Sequence, residues 1–271
     1  MKKKIFLIIF ILALIIVGLI IPNETYTKLF KPINNEKEVV DTCLMYLQNE
    51  DKQLVGVNVD LTEEIEDVIY KKWDLLTTEV PENFTSPVCY STTIIDYSVS
   101  DNILSLNISE DCLNEQSRPF LECLIYNFCN DEVKEVNLLI AGEEVTDFGG
   151  YHFNNLTKDF GVNIEYETSN ILNSKDLTVI LQLDDYILPV TYYVANDTDD
   201  VSYLVTKVLS INEEVANMDF TKSVSYEYND KSLSINVTDF GDFNTNILNS
   251  IKNTMMFNFE LDSILLNGIE L

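Results

Sequence analysis

From residue 41 the chain alternates short apolar runs with clusters of Asn and Asp, and the pattern occurs twice. CLMYLQ (43–48) and LVGVNV (54–59) read as two strands joined by a short Asn/Asp stretch, the signature of a hairpin. TVILQL (178–183) and ILPVTYYV (187–194) repeat it, with Tyr46 aligned to Leu181 and Val57 to Val190. The period then changes. In DLTEEIEDVIYKKWDLL (60–76), Ile65, Val68, Ile69, Trp73 and Leu76 recur at helical spacing. Asp60 or Thr62 is placed to cap the exposed amides, and Glu63 and Glu64 suit the positive end of the helix dipole. DTDDVSYLVTKVL (197–209) does the same: Thr198–Val201 match Thr62–Ile65, followed by Leu204, Val205, Val208 and Leu209.

Two further strands follow in each half. TIIDYSVSDNILSLNIS (93–109) alternates Ile95, Tyr97 and Val99, turns at 100–102 and returns through Leu104, Leu106 and Ile108. VSYEYNDKSLSINVT (224–238) places Tyr226 and Tyr228 before its turn, and Tyr97 and Tyr226 are 129 residues apart. Such alternation puts one face of a hairpin on a core and leaves the other wet. Each half closes with a helix and a strand. Phe120, Leu121, Leu124, Ile125 and Phe128 lead to VKEVNLLIAG (133–142); Ile247, Leu248, Ile251 and Met255 lead to DSILLNG (262–268), with Gly142 and Gly268 ending the two strands. Seven elements in the same order make a tandem duplication. Each unit is a ββαββαβ sandwich of α+β class, with helices over one face of a sheet and the other face or edge in need of cover. The boundaries are 41–142 and 177–271, with a partly ordered linker at 143–176 broken at Gly149–Gly150.

This order resembles the tandem GerMN domains of spore germination and sporulation proteins, over roughly residues 41–271. The residues that carry the resemblance are TVILQLDDYILPVTYYV, LSINVTDF, IKNTMMF, SILLNG and the preceding FGVNIEYETSNILNSKD. In IKNTMMF, Asn253-Thr254-Met255 matches the family's Asn-Thr-Leu helix start. TTEVPENFTSP stands where the family often has Gly-Pro, and IYNFCN stands in the first half where Asn-Thr-Leu is expected. The resemblance implies a ring-building-motif-like fold, an extracytoplasmic membrane-anchored protein, assembly with other proteins, and no enzyme activity.

Charge narrows the partners. The formal net charge is −28; from residue 32 onward 12 basic face 44 acidic residues, a net of −32. Arg118 is the sole arginine. Such a body repels phosphate backbones, which excludes nucleic acid as a partner. At the N-terminus three lysines precede an uninterrupted apolar run, Ile5–Ile21, near the lower length limit for crossing a bilayer. No small-x-small cleavage site follows it, which favours an uncleaved anchor over a cleaved signal peptide. Residues 1–31 are thus expected to be a single-pass transmembrane and juxtamembrane segment. Its positive flank stays in the cytoplasm and the acidic body lies outside.

Five cysteines without Cys-x-x-Cys spacing, and a single histidine, His152, argue against a zinc site. Cys123 and Cys129 read as small buried apolar residues, and one disulfide among the five stays open. A histidine-based triad would have to use His152, in the linker. NDTDD (196–200) has the composition of a calcium loop, but Thr198–Asp200 occupies a helix-start position and capping explains both halves. No catalytic, cofactor or metal residue is therefore assigned. Trp73, on the apolar face of the first helix, reads as core before partner anchor. With Tyr192, Tyr193, Tyr226 and Tyr228 it completes the set of candidate partner-surface residues. The expected function is assembly with other membrane or envelope proteins; binding of a cell-wall polymer is the alternative, and hydrolysis ranks last.

Overall fold

The computed structural model describes residues 41–61, 67–210, 224–238 and 243–271. The apolar run Ile5–Ile21 and the cap candidates Thr62, Glu63 and Glu64 lie outside them. Among the described residues, no helix is long and apolar enough to cross a membrane.

The first half runs β1 (Asp41–Gln48), β2 (Leu54–Leu61), α1 (Val68–Thr77), β3 (Ile94–Ser100), β4 (Ile103–Ile108), α2 (Ser117–Phe128) and β5 (Glu135–Ile140). Four two-residue strands follow: β6 (Glu143–Glu144), β7 (Asp147–Phe148), β8 (Tyr151–His152) and β9 (Glu165–Tyr166). The second half runs β10 (Ser174–Gln182), β11 (Ile187–Ala195), α3 (Asp200–Ser210), β12 (Val224–Asn229), β13 (Ser232–Val237), α4 (Thr245–Asn258), β14 (Ser263–Leu266) and β15 (Ile269–Glu270). The class is α+β. Gly142 and Gly268 do not end the last strand of each half. Ala141-Gly142 and Asn267-Gly268 take positive φ, and the chain doubles back through them into β6 and β15. Two successive residues at positive φ form the tight turn whose twist suits a hairpin.

Each half splits its strands between two sheets. β3-β4-β5-β6 and β12-β13-β14-β15 are separate four-stranded sheets, in which β4/β5 and β13/β14 are parallel. A helix, α2 or α4, makes each crossover, as parallel neighbours require. The initial hairpins instead join each other in one sheet ordered β1-β2-β11-β10, where Ile187 of β11 lies opposite Gly56 of β2. Part of the cover that each half needs is thus supplied edge to edge inside the chain, and Thr42–Leu271 forms one compact unit.

Helices bury the faces their spacing marks, with two corrections. Val201, Leu204, Val205, Val208 and Leu209 are the buried residues of α3. In α1 the buried set is Trp73, Leu75 and Leu76, while Val68 is 53% exposed. Asp60 does not cap α1; it lies in β2, and Asp67 is the cap, its Oδ1 accepting from the amides of Ile69 and Tyr70. Asp199 does the same for α3, accepting from the Ser202 amide at 2.8 Å.

The initial hairpins and first helices of the two halves are therefore in register at a smaller offset than their apolar runs suggest, while Tyr97 and Tyr226 keep theirs. Asn127 at the end of α2 holds both the amide and the carbonyl of Tyr46, at 2.8 Å each. Asn258 at the end of α4 holds those of Thr178, at 3.0 and 2.6 Å. Tyr46 thus corresponds to Thr178, not Leu181. Since strand side chains alternate, a three-residue difference in register puts the two positions on opposite faces. Asn253-Thr254-Met255 lies inside α4 rather than at its start.

Candidate functional site

The segment between the halves seals the sheet they share. β11 has β10 on one side, while its other side meets β2 at Ile187 and β9, in parallel, at Tyr192 and Tyr193. Asn163 fills the gap between those two partners. Its side chain bonds the amide and carbonyl of Leu54, each at 2.8 Å, and the carbonyl of Pro189 at 2.7 Å. One amide side chain thereby satisfies backbone groups on two strands that end their pairing there. Its φ of 45° lies in the left-handed region that Asn tolerates better than most residues.

Beneath this junction Glu122, 6% exposed, pairs with Arg118 at 2.7 Å, and the Asn163 amide approaches its other oxygen at 3.5 Å. Burial pushes the Glu122 carboxyl above its ordinary value, and Arg118 pulls it partly back. The guanidinium also donates to the Phe160 carbonyl and sits 4.6 Å from that ring centroid. At the other end of the segment, Gly149 and Gly150 form the β7–β8 turn, both at positive φ. A Cβ at Gly149 would meet the Ser117 hydroxyl at 1.7 Å, so no larger residue fits there.

Trp73 is not at the surface. It is 4% exposed, stacked on Phe128, with its indole N–H donated to the Thr92 carbonyl at 3.0 Å. Tyr192 and Tyr193 lie side by side on β11 but face opposite ways, as strand neighbours must. Tyr193 stacks on Tyr166 of β9, whereas Tyr192 meets Tyr203 of α3 and the ammonium of Lys207, 4.5 Å from its ring centroid. Glu167 holds that cluster together, accepting from Tyr203 at 2.8 Å and pairing with Lys207. Tyr226 and Tyr228 are 37% and 52% exposed. The structure does not bring the five sequence candidates together as one surface.

It does expose the same strand in both halves. β3 and β12 are terminal strands of their sheets among the described residues. Tyr97 and Val99 stand opposite Leu106 and Leu104, and Tyr226 and Tyr228 stand opposite Ile235 and Leu233. These side chains belong to the face that the core occupies, yet they overhang it. Ile95 and Val99 are each 50% exposed, and Val68 and Tyr70 of α1 extend the apolar area beside β3. Tyr70 meets Tyr97 edge-on at 5.6 Å. Alternation along the strand identifies Ile95 and Val99, but only the structure shows that they are not buried, Ile95 lying where the pairing register breaks between Ile94 and Asp96.

In both halves a tyrosine of this edge strand ties back to the helix cap. The Tyr97 hydroxyl donates to Asp67 Oδ2, and the Tyr226 hydroxyl to Asp199 Oδ2 at 2.7 Å. The Tyr97 hydrogen bond, with two backbone amides, lowers the Asp67 carboxyl despite slight desolvation. For Asp199, desolvation pushes upward but the Ser202 amide and Tyr226 hydroxyl outweigh it. Within the acidic cluster at 196–200, Asp199 is thus engaged by protein donors, Asp200 pairs with Lys175, and the Asn196 side-chain amide donates to the Asn173 side-chain oxygen. His152 lies on the exposed β7–β8 hairpin, its Nδ1 2.8 Å from the Asp147 carboxylate.

No protein-family model matches the chain, and no curated protein matches it. Among solved structures, the tandem GerMN domains of the sporulation protein GerM from Bacillus subtilis superpose with a TM-score of 0.69 at 19% identity. The superposition covers 83% of this chain and 90% of that one. This chain has the tandem GerMN fold. The first GerMN domain of the same protein, alone, matches 44% of this chain at 17% identity, with a TM-score of 0.40. The GerMN likeness spans both halves and the segment between them.

Proposed function

We propose that this chain is a membrane-anchored, extracytoplasmic, non-enzymatic module that assembles with other envelope proteins during sporulation or spore germination. The observation that carries the reading is the repeated open edge. Strands β3 and β12, equivalent in the two halves, both present an edge unpaired among the described residues and overhanging apolar side chains. An edge strand of this kind is a template for another chain, which adds a strand and buries its own apolar residues beside it. The fold likeness to a sporulation protein supports the setting. Three lysines followed by the apolar run Ile5–Ile21 support the anchor.

The test is capture of envelope proteins on the immobilised full chain, compared with Ile95→Lys and Tyr228→Lys variants. A lysine on an edge strand blocks strand addition without disturbing the core. Specific envelope proteins should bind the parent and be lost from at least one variant, with both variants melting like the parent. Turnover of wall polymer by the purified chain, or retention on wall material with no protein partner, would defeat the assembly reading.

A further inference from the structure

A second surface, unrelated to the edge strands, lies where the two halves face each other. Leu44 and Tyr46 of β1, Ile180 and Ile187 of the second hairpin, and Met256 and Phe257 of α4 line a groove of about 530 Å³. Lys134 and Lys158 line its rim together with Asp159. The apolar wall is not closed: Met256 is 47% exposed and Leu44 37%. In a body of net −32, two ammonium groups in one apolar groove are unusual company.

Lys158 has no carboxylate partner among the described residues; its ammonium lies 5.8 Å from the Phe257 ring centroid. Lys134 has one long contact, 3.8 Å to the exposed Asp131. The other basic residues that pack nearby are accounted for: Lys72 donates to the Asn127 carbonyl at 2.5 Å, and Arg118 holds Glu122. Burial lowers the ammonium of Lys158, and Lys134 adds to the effect against the opposing pull of Cys129 and Asp131. Behind the wall, Tyr126 stacks on Phe257 and meets Tyr46 edge-on. A half-buried ammonium with no carboxylate partner among the described residues leaves this apolar cleft with an uncompensated positive charge.

We infer that this groove binds an extended peptide segment of a partner protein, one carboxylate seated between Lys134 and Lys158 and apolar side chains against Leu44, Ile187, Met256 and Phe257. A single carboxylate fits better than a polyanion. Asp159 lines the groove, Asp131 and Glu135 flank the same two lysines in the adjoining pocket, and the body as a whole is acidic, so a run of phosphates would be repelled beyond the two lysines. Bringing a carboxylate to a desolvated ammonium makes a charge-assisted hydrogen bond, stronger than a neutral one.

The experiment uses the full chain in detergent micelles and three labelled probes: a blocked hexapeptide alternating valine and serine around one central glutamate, its glutamine counterpart, and poly(glycerol phosphate). The glutamate peptide should bind about tenfold more tightly than the glutamine peptide, and added salt should shrink the gap. Lys158→Gln and Lys134→Gln should each erase the preference, while Lys252→Gln, an exposed lysine of α4 outside the groove, should not. Lys158→Gln should melt no lower than the parent, because it removes a desolvated charge. Should it fail to fold, the exposed Lys134→Gln decides alone. Equal binding of the two peptides, absence of saturable peptide binding, a preference surviving in Lys134→Gln, or tighter binding of the polymer would each overturn the inference.

Discussion

Asp67 and Asp199 each serve two structures with one carboxylate, capping a helix through one oxygen and holding an edge-strand tyrosine through the other. Replacing Asp199 by alanine should cost about 1 kcal/mol of unfolding free energy in urea, the usual worth of a cap. Because the folded carboxyl sits below its ordinary value, this contribution is present above the unfolded value and fades as pH falls through the folded one. Urea melts at about pH 7 and about pH 3 should therefore show a wide gap between parent and Asp199→Ala, then a narrow one. The thiols form a second residue-scale case. All five cysteines are free, and Cys112, Cys123 and Cys129 are buried, with burial pushing the Cys112 and Cys129 thiols up to about 11. Thiol reagents should leave these three untouched in the native chain and find all five after unfolding, since reaction needs an accessible thiolate. A sub-stoichiometric count in the unfolded, unreduced chain would reveal a disulfide and contradict the free thiols.

At the scale of elements, α4 behaves as a strand partner. Ser250, Thr254 and Asn258, four residues apart on one helix face, bond the outer edge of β10 at Gln182, Ile180 and Thr178 in turn. The helix ridge thus covers the edge of the shared sheet, a device for preventing unwanted strand pairing. Thr254→Val keeps the shape but leaves the Ile180 amide and carbonyl unpaired, so it should destabilise by about 1–3 kcal/mol in denaturant unfolding. A loss below the error of that measurement would mean that the helix covers β10 without bonding it. The first half keeps only the last rung, Asn127 on Tyr46; Gln48 of β1 pairs instead with Thr85. The helical stripe of α4 was legible from Ile247, Ile251 and Met255. The polar stripe beside it was not, because a Ser or Thr facing a strand and one facing water have the same spacing.

Across the whole molecule, Asn163 is the residue on which the joining of the halves turns. Asn163→Ala should speed hydrogen exchange at the Leu54 amide while leaving the Thr178 amide, held by Asn258, unchanged. Equal acceleration at both sites would show that the seam and the edge open together. Nothing local distinguishes this asparagine from others in a chain rich in them. Its importance follows from three backbone groups that only the meeting of β2 and β11 brings within reach.

The sequence by itself determined the α+β class, the order of seven elements in each half and the duplication, because side-chain period is a local property that burial on one face enforces. It marked Tyr226 as the counterpart of Tyr97, and the pair proved to hold equivalent caps. Tertiary structure decided the remainder. It set the phase of the first helix, moving its cap from Asp60 or Thr62 to Asp67, since several residues able to cap a helix stand close together and local spacing alone does not rank them. It left Ile95 and Val99 half exposed, because they lie on the terminal strand of their sheet, Ile95 at a break in the pairing register, and exposure depends on what packs beside a strand rather than on its alternation. And it joined the two hairpins in one sheet, since an edge strand carries no sequence label for its partner: backbone groups are alike, and only the folded geometry selects which meet.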